Sequence, residues 1–325
     1  FDAEIEGEWK AVEGSSYYAS PLLYKENGFK EKVHAEKLIE DLTNKTAIVK
    51  TVEKGISKKR APLLFNLAEL QAECSKRFKI SPDETLQVAQ DLYERKLTTY
   101  PRTDARVLSS AVAKEISKNI RGLRSFEPVA PFVQNIVEHG LYKIIGKSSY
   151  TDDSKITDHY AIIPTGQVNE YKSLTELQKR VYELIVRRFL SIFYPPAQYQ
   201  TVKLTIGIEK ESFFAGAKVL KVPGYLEIAG RPDTKEKREK EDGDGEENNP
   251  KNSAALLKLA DSLKEGDTAE VKEFLVKEGK TSPPKRYTSG SMVLAMENAG
   301  QLIEEEELRE QIKGSGIGTS ATRAE

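Results

Sequence analysis

Apolar positions recur along this chain with two periods, and each change of period marks a change of structure. The run Thr46-Ala47-Ile48-Val49-Lys50-Thr51-Val52 is rich in β-branched residues and predicts a strand, preceded by a turn at Asn27-Gly28 and a short helix over 35–42. From Asn66 the period becomes helical: Leu67, Leu70, Cys74 and Phe78 share one face, with Glu69, Glu73 and Lys76 turned outward. Ser81-Pro82-Asp83-Glu84 then predicts a second helix, with Ser as N-cap, Pro in the first position and Glu three residues after the cap. Leu86, Ala89 and Tyr93 mark its apolar face, Val88 and Leu92 lie beside it, and Arg95-Lys96 supply the cations that suit its C-terminal end.

Further helices are expected over 109–120 and 131–139. Another follows the capping-box pattern Ser173-Leu174-Thr175-Glu176, with Leu174, Leu177, Val181, Leu184 and Phe189 as its core stripe, and Pro195-Pro196 stops it. The pattern then alternates. Val202, Leu204, Ile206 and Ile208 point away from Thr201, Lys203, Thr205 and Gly207, as in a strand with one buried face. More strands are expected over 212–228 around Pro223-Gly224 and over 268–276, and a last helix over 290 to about 313. Residues 231–253 are charge-dense and almost free of apolar side chains, which predicts a mobile loop or hairpin tip. Within it, Lys235-Glu236-Lys237-Arg238-Glu239-Lys240 mixes acids with bases, so it reads as a solvated segment rather than a basic patch. The order β, α, β, α implies an α+β protein in which a helical block interrupts a β domain.

Composition narrows the function classes. The 325 residues are 38% hydrophobic and 31% charged, enough for two or three domains with substantial cores. Lys+Arg 50 against Asp+Glu 51 gives a net charge of -1, so any nucleic-acid binding must rest on a local stripe of positive charge. A lone cysteine, Cys74, supports neither an intrachain disulfide nor a zinc cluster and is expected as a buried thiol. No apolar run is long enough to span a membrane and nothing resembles a signal peptide, so a reducing, cytoplasmic setting is expected. The chain begins at Phe1 without methionine and stops just after Gly316-Ile317-Gly318-Thr319-Ser320-Ala321-Thr322-Arg323, a loop that should open a helix. It is expected to be a piece of a longer protein.

The strongest candidate chemistry lies in Leu97-Thr98-Thr99-Tyr100-Pro101-Arg102-Thr103-Asp104. A phenol held by a rigid X-Pro turn, with a guanidinium two residues on, suits attack on an anionic phosphodiester, because the Arg102 fork matches the non-bridging oxygens. The same octapeptide also fits a buried tyrosine and a surface arginine at a helix end. His159 precedes the apolar run Ala161-Ile162-Ile163-Pro164-Thr165 and could simply pack beside it; His34 and His139 read as ordinary surface or packing residues. The glycines, hydroxyls and cation of 316–323 suit a loop that cradles phosphate on its amides, or a plain glycine-rich turn.

Taken in order, Ala61-Pro62-Leu63-Leu64-Phe65-Asn66-Leu67 with Leu70-Gln71, Leu92-Tyr93-Glu94, Thr99-Tyr100-Pro101-Arg102-Thr103-Asp104, Asp158-His159-Tyr160-Ala161-Ile162-Ile163-Pro164-Thr165 and Gly316-Ile317-Gly318-Thr319 through Thr322-Arg323 resemble the type IA DNA topoisomerases, nearest the topoisomerase III branch. The motifs run from about Ala61 to Arg323, and the ordered set is far more specific than any single member. The resemblance implies a portion of a toroidal enzyme: a β gate domain split between 1–60 and 195–280, a helical domain over 61–194 carrying the nucleophile, and part of a DNA-binding helical domain over 281–325. It implies that Tyr100 cleaves one strand and retains the 5′ phosphate, that Arg102 stabilises the developing charge, and that His159 lies near the DNA phosphates. Thr319, Thr322 and Arg323 would grip single-stranded DNA, and Arg286 and Tyr287 would lie on the segment returning from the gate. The family commonly has proline where Ser320 stands, so this loop differs in rigidity.

The resemblance further implies Mg²⁺ bound by clustered aspartates in a Toprim domain, and no Asp-x-Asp-x-Glu pattern occurs in this chain. Asp152-Asp153 and Glu304 to Glu307 are acidic runs that read as solvated. No cofactor is therefore expected within these residues, the expected partners are single-stranded or underwound DNA and the Toprim domain of the same protein, and accessory proteins are left open. Two other readings stand beside this one. A tyrosine recombinase or type IB enzyme would place its tyrosine near the C-terminus, not in the first third, and a noncatalytic clamp would use Tyr100 only to stack on bases.

Overall fold

The computed structural model describes residues 4–230, 250–302, 316–320 and 322–323. Their internal contacts group into two units, one formed by the described residues of 1–59, 197–223 and 232–283, the other by those of 60–196, 224–231 and 284–325.

The first unit is built on a five-stranded sheet. Its strands are β1 (Glu8–Lys10), β4 (Ala47–Lys59), β5 (Ala197–Ile208), β6 (Glu211–Val222) and β7 (Thr268–Ala269), in the order β1-β6-β5-β4-β7; β2 (Leu23–Lys25) and β3 (Gly28–Phe29) form a separate hairpin about Asn27-Gly28. The pairings are antiparallel, with β4 running against β5 from Ala47↔Ile208 to Lys59↔Ala197. On β5 the predicted alternation holds at Val202 and Leu204, which are buried with Val49, Ala215 and Ala217 against Leu256 of the helix Pro250–Leu259 and Ala260 just beyond it, whereas Gly207, expected to face outward, is buried and Ile206 is half-buried. A second cluster joins Leu38 and Leu42 of the helix Lys32–Leu42 to Ala47 and Ile208, with Trp9, Tyr17 and Phe29 packed around it.

Several expectations shift here. β4 continues to Lys59, well beyond the β-branched run, because β5 offers its polar half a complete ladder partner. Over 212–228 the strand ends at Val222, and after Gly224 a short helix, Leu226–Ala229, follows. Over 268–276 only Thr268–Ala269 pair, while Val271 and Phe274 pack on the second cluster without ladder partners. The helix Pro250–Leu259 begins inside the segment expected to be a loop; residues 231–249 lie outside the described ones.

The second unit is helical. Its main helices are Leu67–Phe78, Pro82–Glu94, Ala130–Glu138, Glu176–Ser191 and Ser289–Glu297. The predicted cap forms on the second, where Ser81 Oγ accepts the Glu84 amide at 3.1 Å with Pro82 in the first turn; the first is capped by Asn66, whose Oδ1 accepts the Glu69 amide at 2.9 Å. The cap before Glu176 is Thr175 in a reciprocal box with Gln178, not Ser173, whose hydroxyl donates instead to Glu170 O at 2.8 Å. The helix expected over 109–120 is broken at Ile116 into Ser110–Glu115 and Ser117–Gly122. The second piece ends where Gly122 meets Gly166 (φ +95°): a Cβ on Gly122 would stand 2.3 Å from Gly166 O, so both positions require glycine. Leu67, Leu70, Cys74 and Leu92 are fully buried, whereas Tyr93 is exposed. The final helix stops at Glu297, followed by a 3₁₀ turn to Leu302; the rest of the expected stretch, and Glu304 to Glu307, lie outside the described residues. An antiparallel sheet in one unit and a helical second unit make the protein α+β, as the sequence implies, and among the described residues no helix is long and apolar enough to cross a membrane.

Candidate active site

Tyr100 stands just past the C-terminus of the helix Pro82–Glu94. Lys96, at φ +60°, turns the chain, and the Leu97 amide closes on Leu92 O at 2.9 Å. Residues 97–103 then run beside 159–165 as an irregular antiparallel ribbon, knitted largely by threonine side chains. The Thr99 amide donates to Ile163 O at 2.9 Å, and the Thr165 amide to Leu97 O at 3.0 Å. Thr99 Oγ1 accepts the Ile163 amide at 2.9 Å and donates to Ala161 O at 3.0 Å. Thr103 Oγ1 donates to His159 O at 2.8 Å, and Thr165 Oγ1 to Lys96 O at 2.6 Å.

This ribbon brings Tyr100 and His159 together. Their rings are 4.5 Å apart at 43°, and Tyr93 meets Tyr100 edge-on at 5.4 Å. Tyr93, Lys96, Thr98, Tyr100, His159 and Tyr160 line an open cleft of about 340 Å³. Tyr100 is half-buried, Pro101 buried, and Arg102 and His159 exposed. Burial pushes the Tyr160 phenol up. Thr98 Oγ1, also at this cleft, is buried with no hydrogen-bond partner among the described residues.

The loop beyond Tyr100 is pinned from the start of the helix Leu67–Phe78. The Leu67 amide donates to Thr103 O at 3.1 Å, and Asn66 Nδ2 donates to Asp104 O at 3.1 Å and to Glu297 Oε1 at 2.6 Å. The glycine-rich turn joins the same cluster. Arg323 donates from Nη1 to Asp104 Oδ1 at 3.1 Å, from Nε to Ile317 O at 3.1 Å and from Nη2 to Gly318 O at 3.2 Å, with Glu297 Oε1 3.8 Å away. Its side chain is 5% exposed. Burial pushes the Glu297 carboxyl up, against the opposing pull of Arg323 and Asn66. Thr319 and Thr322 are exposed, with hydroxyls 3.2 Å apart, and the Thr319 amide is taken by Thr322 Oγ1 at 3.1 Å.

The structure therefore gathers Tyr100 and His159 at one cleft, leaves Arg102 exposed two residues further along the loop and outside the cleft lining, and directs Arg323 inward to Asp104. Tyr93, Asn66 and Glu297 join the site without having been singled out for it. Asn66 lies within the Ala61–Leu67 motif and just before a helical period, and Glu297 carries no sequence signal. No group of three His, Cys, Asp or Glu among the described residues is arranged to hold a metal ion. Asp152 is engaged by Ser154 and Lys155, and Asp153 caps the Ser110 amide at 2.9 Å, hydrogen bonds that lower both carboxyls. These acids do not fit a Mg²⁺ site.

A phenol and an imidazole thus share one ribbon of an α+β scaffold, and the comparisons identify the family to which that scaffold belongs. The profile of the family described as DNA topoisomerase matches residues 4–325, and the chain belongs to that family, among its type IA members. It is 34% identical over 293 residues to DNA topoisomerase 3 of Bacillus subtilis, covering 89% of this chain and 38% of that protein. It is 35% identical over 288 residues to DNA topoisomerase 3 of Bacillus licheniformis, covering 87% and 37%. In fold it is similar to full-length topoisomerase I from Thermotoga maritima, with a TM-score of 0.55 and 23% identity over 92% of this chain and 42% of that one. The chain thus spans under two fifths of the length of these curated relatives.

Proposed function

We propose that this chain is the gate and nucleophile portion of a type IA DNA topoisomerase, in which Tyr100 cuts one DNA strand, DNA passes through the opened gate, and the strand is resealed. The observation that carries this reading is the half-buried Tyr100 ring packed 4.5 Å from His159 at an open cleft, with Arg102 exposed two residues along the same loop. In the cutting step the Tyr100 Oη–P bond forms, the P–O3′ bond breaks, and the 3′ oxygen leaves with a proton. A free phenol, with a pKa of about 10, is a weak nucleophile at neutral pH and needs a positive field. Arg102 and His159 supply part of that field at the non-bridging oxygens. Resealing reverses the exchange. A phosphodiester is traded for a phosphotyrosine without hydrolysis, so no ATP is consumed.

The single-stranded or underwound segment leading to the cut would run past Thr319 and Thr322, whose side chains are exposed; Arg323 would act from beneath. The acids described here do not fit Mg²⁺, so a Toprim domain of the same protein would bring the metal and the remaining activating groups. This chain alone is accordingly expected to bind single-stranded DNA, with the salt dependence of phosphate contacts, and to leave plasmids supercoiled. The test is covalent trapping on a labelled single-stranded oligonucleotide in a full-length enzyme carrying this chain. Tyr100 should hold the 5′ end of the cut strand, and Tyr100→Phe should abolish both adduct and relaxation. A 3′ linkage would point to the recombinase or type IB class, and undiminished relaxation by Tyr100→Phe to a clamp that only stacks bases.

A further inference from the structure

Resting on that strand-cutting role of Tyr100, we propose that Arg323 is a positioning residue for the nucleophile: through Asp104 it locks the Tyr100 loop to the glycine-rich turn, and it does not itself bind a DNA phosphate. Asp104 lies four residues after Tyr100 on the same loop. The Arg323 guanidinium is spent on Asp104 Oδ1, Ile317 O and Gly318 O, and its side chain is 5% exposed. A phosphate could reach this fork only after those hydrogen bonds break. The local charge argues the same way. One guanidinium faces two carboxylates, Asp104 at 3.1 Å and Glu297 at 3.8 Å, so little positive potential is left to draw an anion.

The turn is shaped around this contact. A Cβ on Gly316 would stand 2.8 Å from Arg323 Nη2 and 2.7 Å from Met296 O, so only glycine lets the turn close over the guanidinium. The Ile317 amide, 2.8 Å from Met296 O, fixes the turn to the end of the helix Ser289–Glu297. The Tyr100 loop is held from the helix Leu67–Phe78 by Leu67 and Asn66, and from the turn by Arg323. Seating of a DNA strand on exposed Thr319 and Thr322 is thereby tied to the placement of the phenol. A displacement of about 1 Å at a nucleophile is enough to cost on the order of a hundredfold in rate.

The experiment uses the full-length enzyme carrying this chain and a labelled single-stranded oligonucleotide, and it reads two quantities separately: Kd by fluorescence anisotropy and the rate of adduct formation at saturating DNA. For Arg323→Ala and for Asp104→Asn, the adduct rate should fall by about tenfold to a hundredfold with Kd changed less than about twofold. The double substitution should be no worse than either single one, since the two act through one contact. Arg323→Lys keeps the charge but loses the fork and should fall between, and the exchange of charges in Asp104→Arg with Arg323→Asp should recover part of the rate. A Kd weakened more than about fivefold by Arg323→Ala, with the saturated rate and the Asp104→Asn variant unchanged, would make Arg323 a phosphate contact and overturn the proposal, as would full additivity of the two losses. Should Arg323→Ala fail to fold, Arg323→Lys and Asp104→Asn carry the same cycle. Tyr100→Phe runs alongside: an adduct that survives it refutes the strand-cutting reading itself, whatever the Arg323 variants do.

Discussion

Asn66→Ala should cost far more than an ordinary helix-cap deletion. The side chain is buried and does three things at once: Oδ1 caps the helix Leu67–Phe78 at the Glu69 amide, and Nδ2 donates to Asp104 O and to Glu297 Oε1. Losing the cap costs about 1 kcal/mol. Losing a bond to a neutral carbonyl costs about 1 kcal/mol, and one to a carboxylate about 1.5–3 kcal/mol. The total is about 3.5–5 kcal/mol, discounted to about 3 kcal/mol at the least because such terms are not strictly additive for bonds made by one side chain. Asn66→Ser keeps a capping oxygen but lacks the reach, and should recover about 1 kcal/mol of it. The assay is urea unfolding followed by helical circular dichroism, a signal dominated by the second unit, where most helices lie. With a slope of about 2 kcal/mol/M, Asn66→Ala should move the midpoint by roughly 1.5 M or more. If the loss is only about 1 kcal/mol, the long-range bonds contribute nothing, and if Asn66→Ser is no better than Asn66→Ala, the cap contributes nothing; either result refutes the reasoning.

Two further outcomes follow from buried titratable groups. Burial raises the Glu297 carboxyl, so the folded protein holds that proton more tightly than the unfolded chain does. Its stabilising effect is full below the unfolded value of about 4.3 and is lost as pH rises through the folded value. Glu297→Gln removes that loss, so urea midpoints of the variant and the wild type should diverge in the variant's favour between about pH 4 and pH 8; a gap that narrows with rising pH would contradict this. Burial pushes the Cys74 thiol up to about 12, so in the folded protein at pH 8 it should not react with a disulfide reagent and should react at once in denaturant. Fast labelling without denaturant would show that the thiol is reached by solvent.

Local rules in the sequence captured what local rules govern. Ser81 caps where its spacing predicts, and Leu67, Leu70 and Cys74 are buried as their period requires. The sequence fell short wherever a partner far along the chain decides. The polar half of β4 has no strand pattern of its own and is a strand because β5 lies beside it. Tyr93 falls on the apolar stripe of its helix, yet it is exposed and meets Tyr100 edge-on. Ser173 has a capping pattern, but its hydroxyl is satisfied by Glu170 one turn earlier, and Thr175 caps instead. At the site, Tyr100, Arg102 and His159 were marked by their motifs, whereas nothing in the sequence pairs Asp104 with Arg323, 219 positions apart. Such a contact becomes visible only once the fold is known.

The threonine-knitted ribbon has a mechanical consequence. Because Thr99 is bonded to Ala161 and Ile163, and Thr103 to His159, the phenol and the imidazole are mounted on a common carriage rather than on independent arms. On the proposed strand-cutting role of Tyr100, the imidazole rides with the ester and arrives at the resealing step still in register with it.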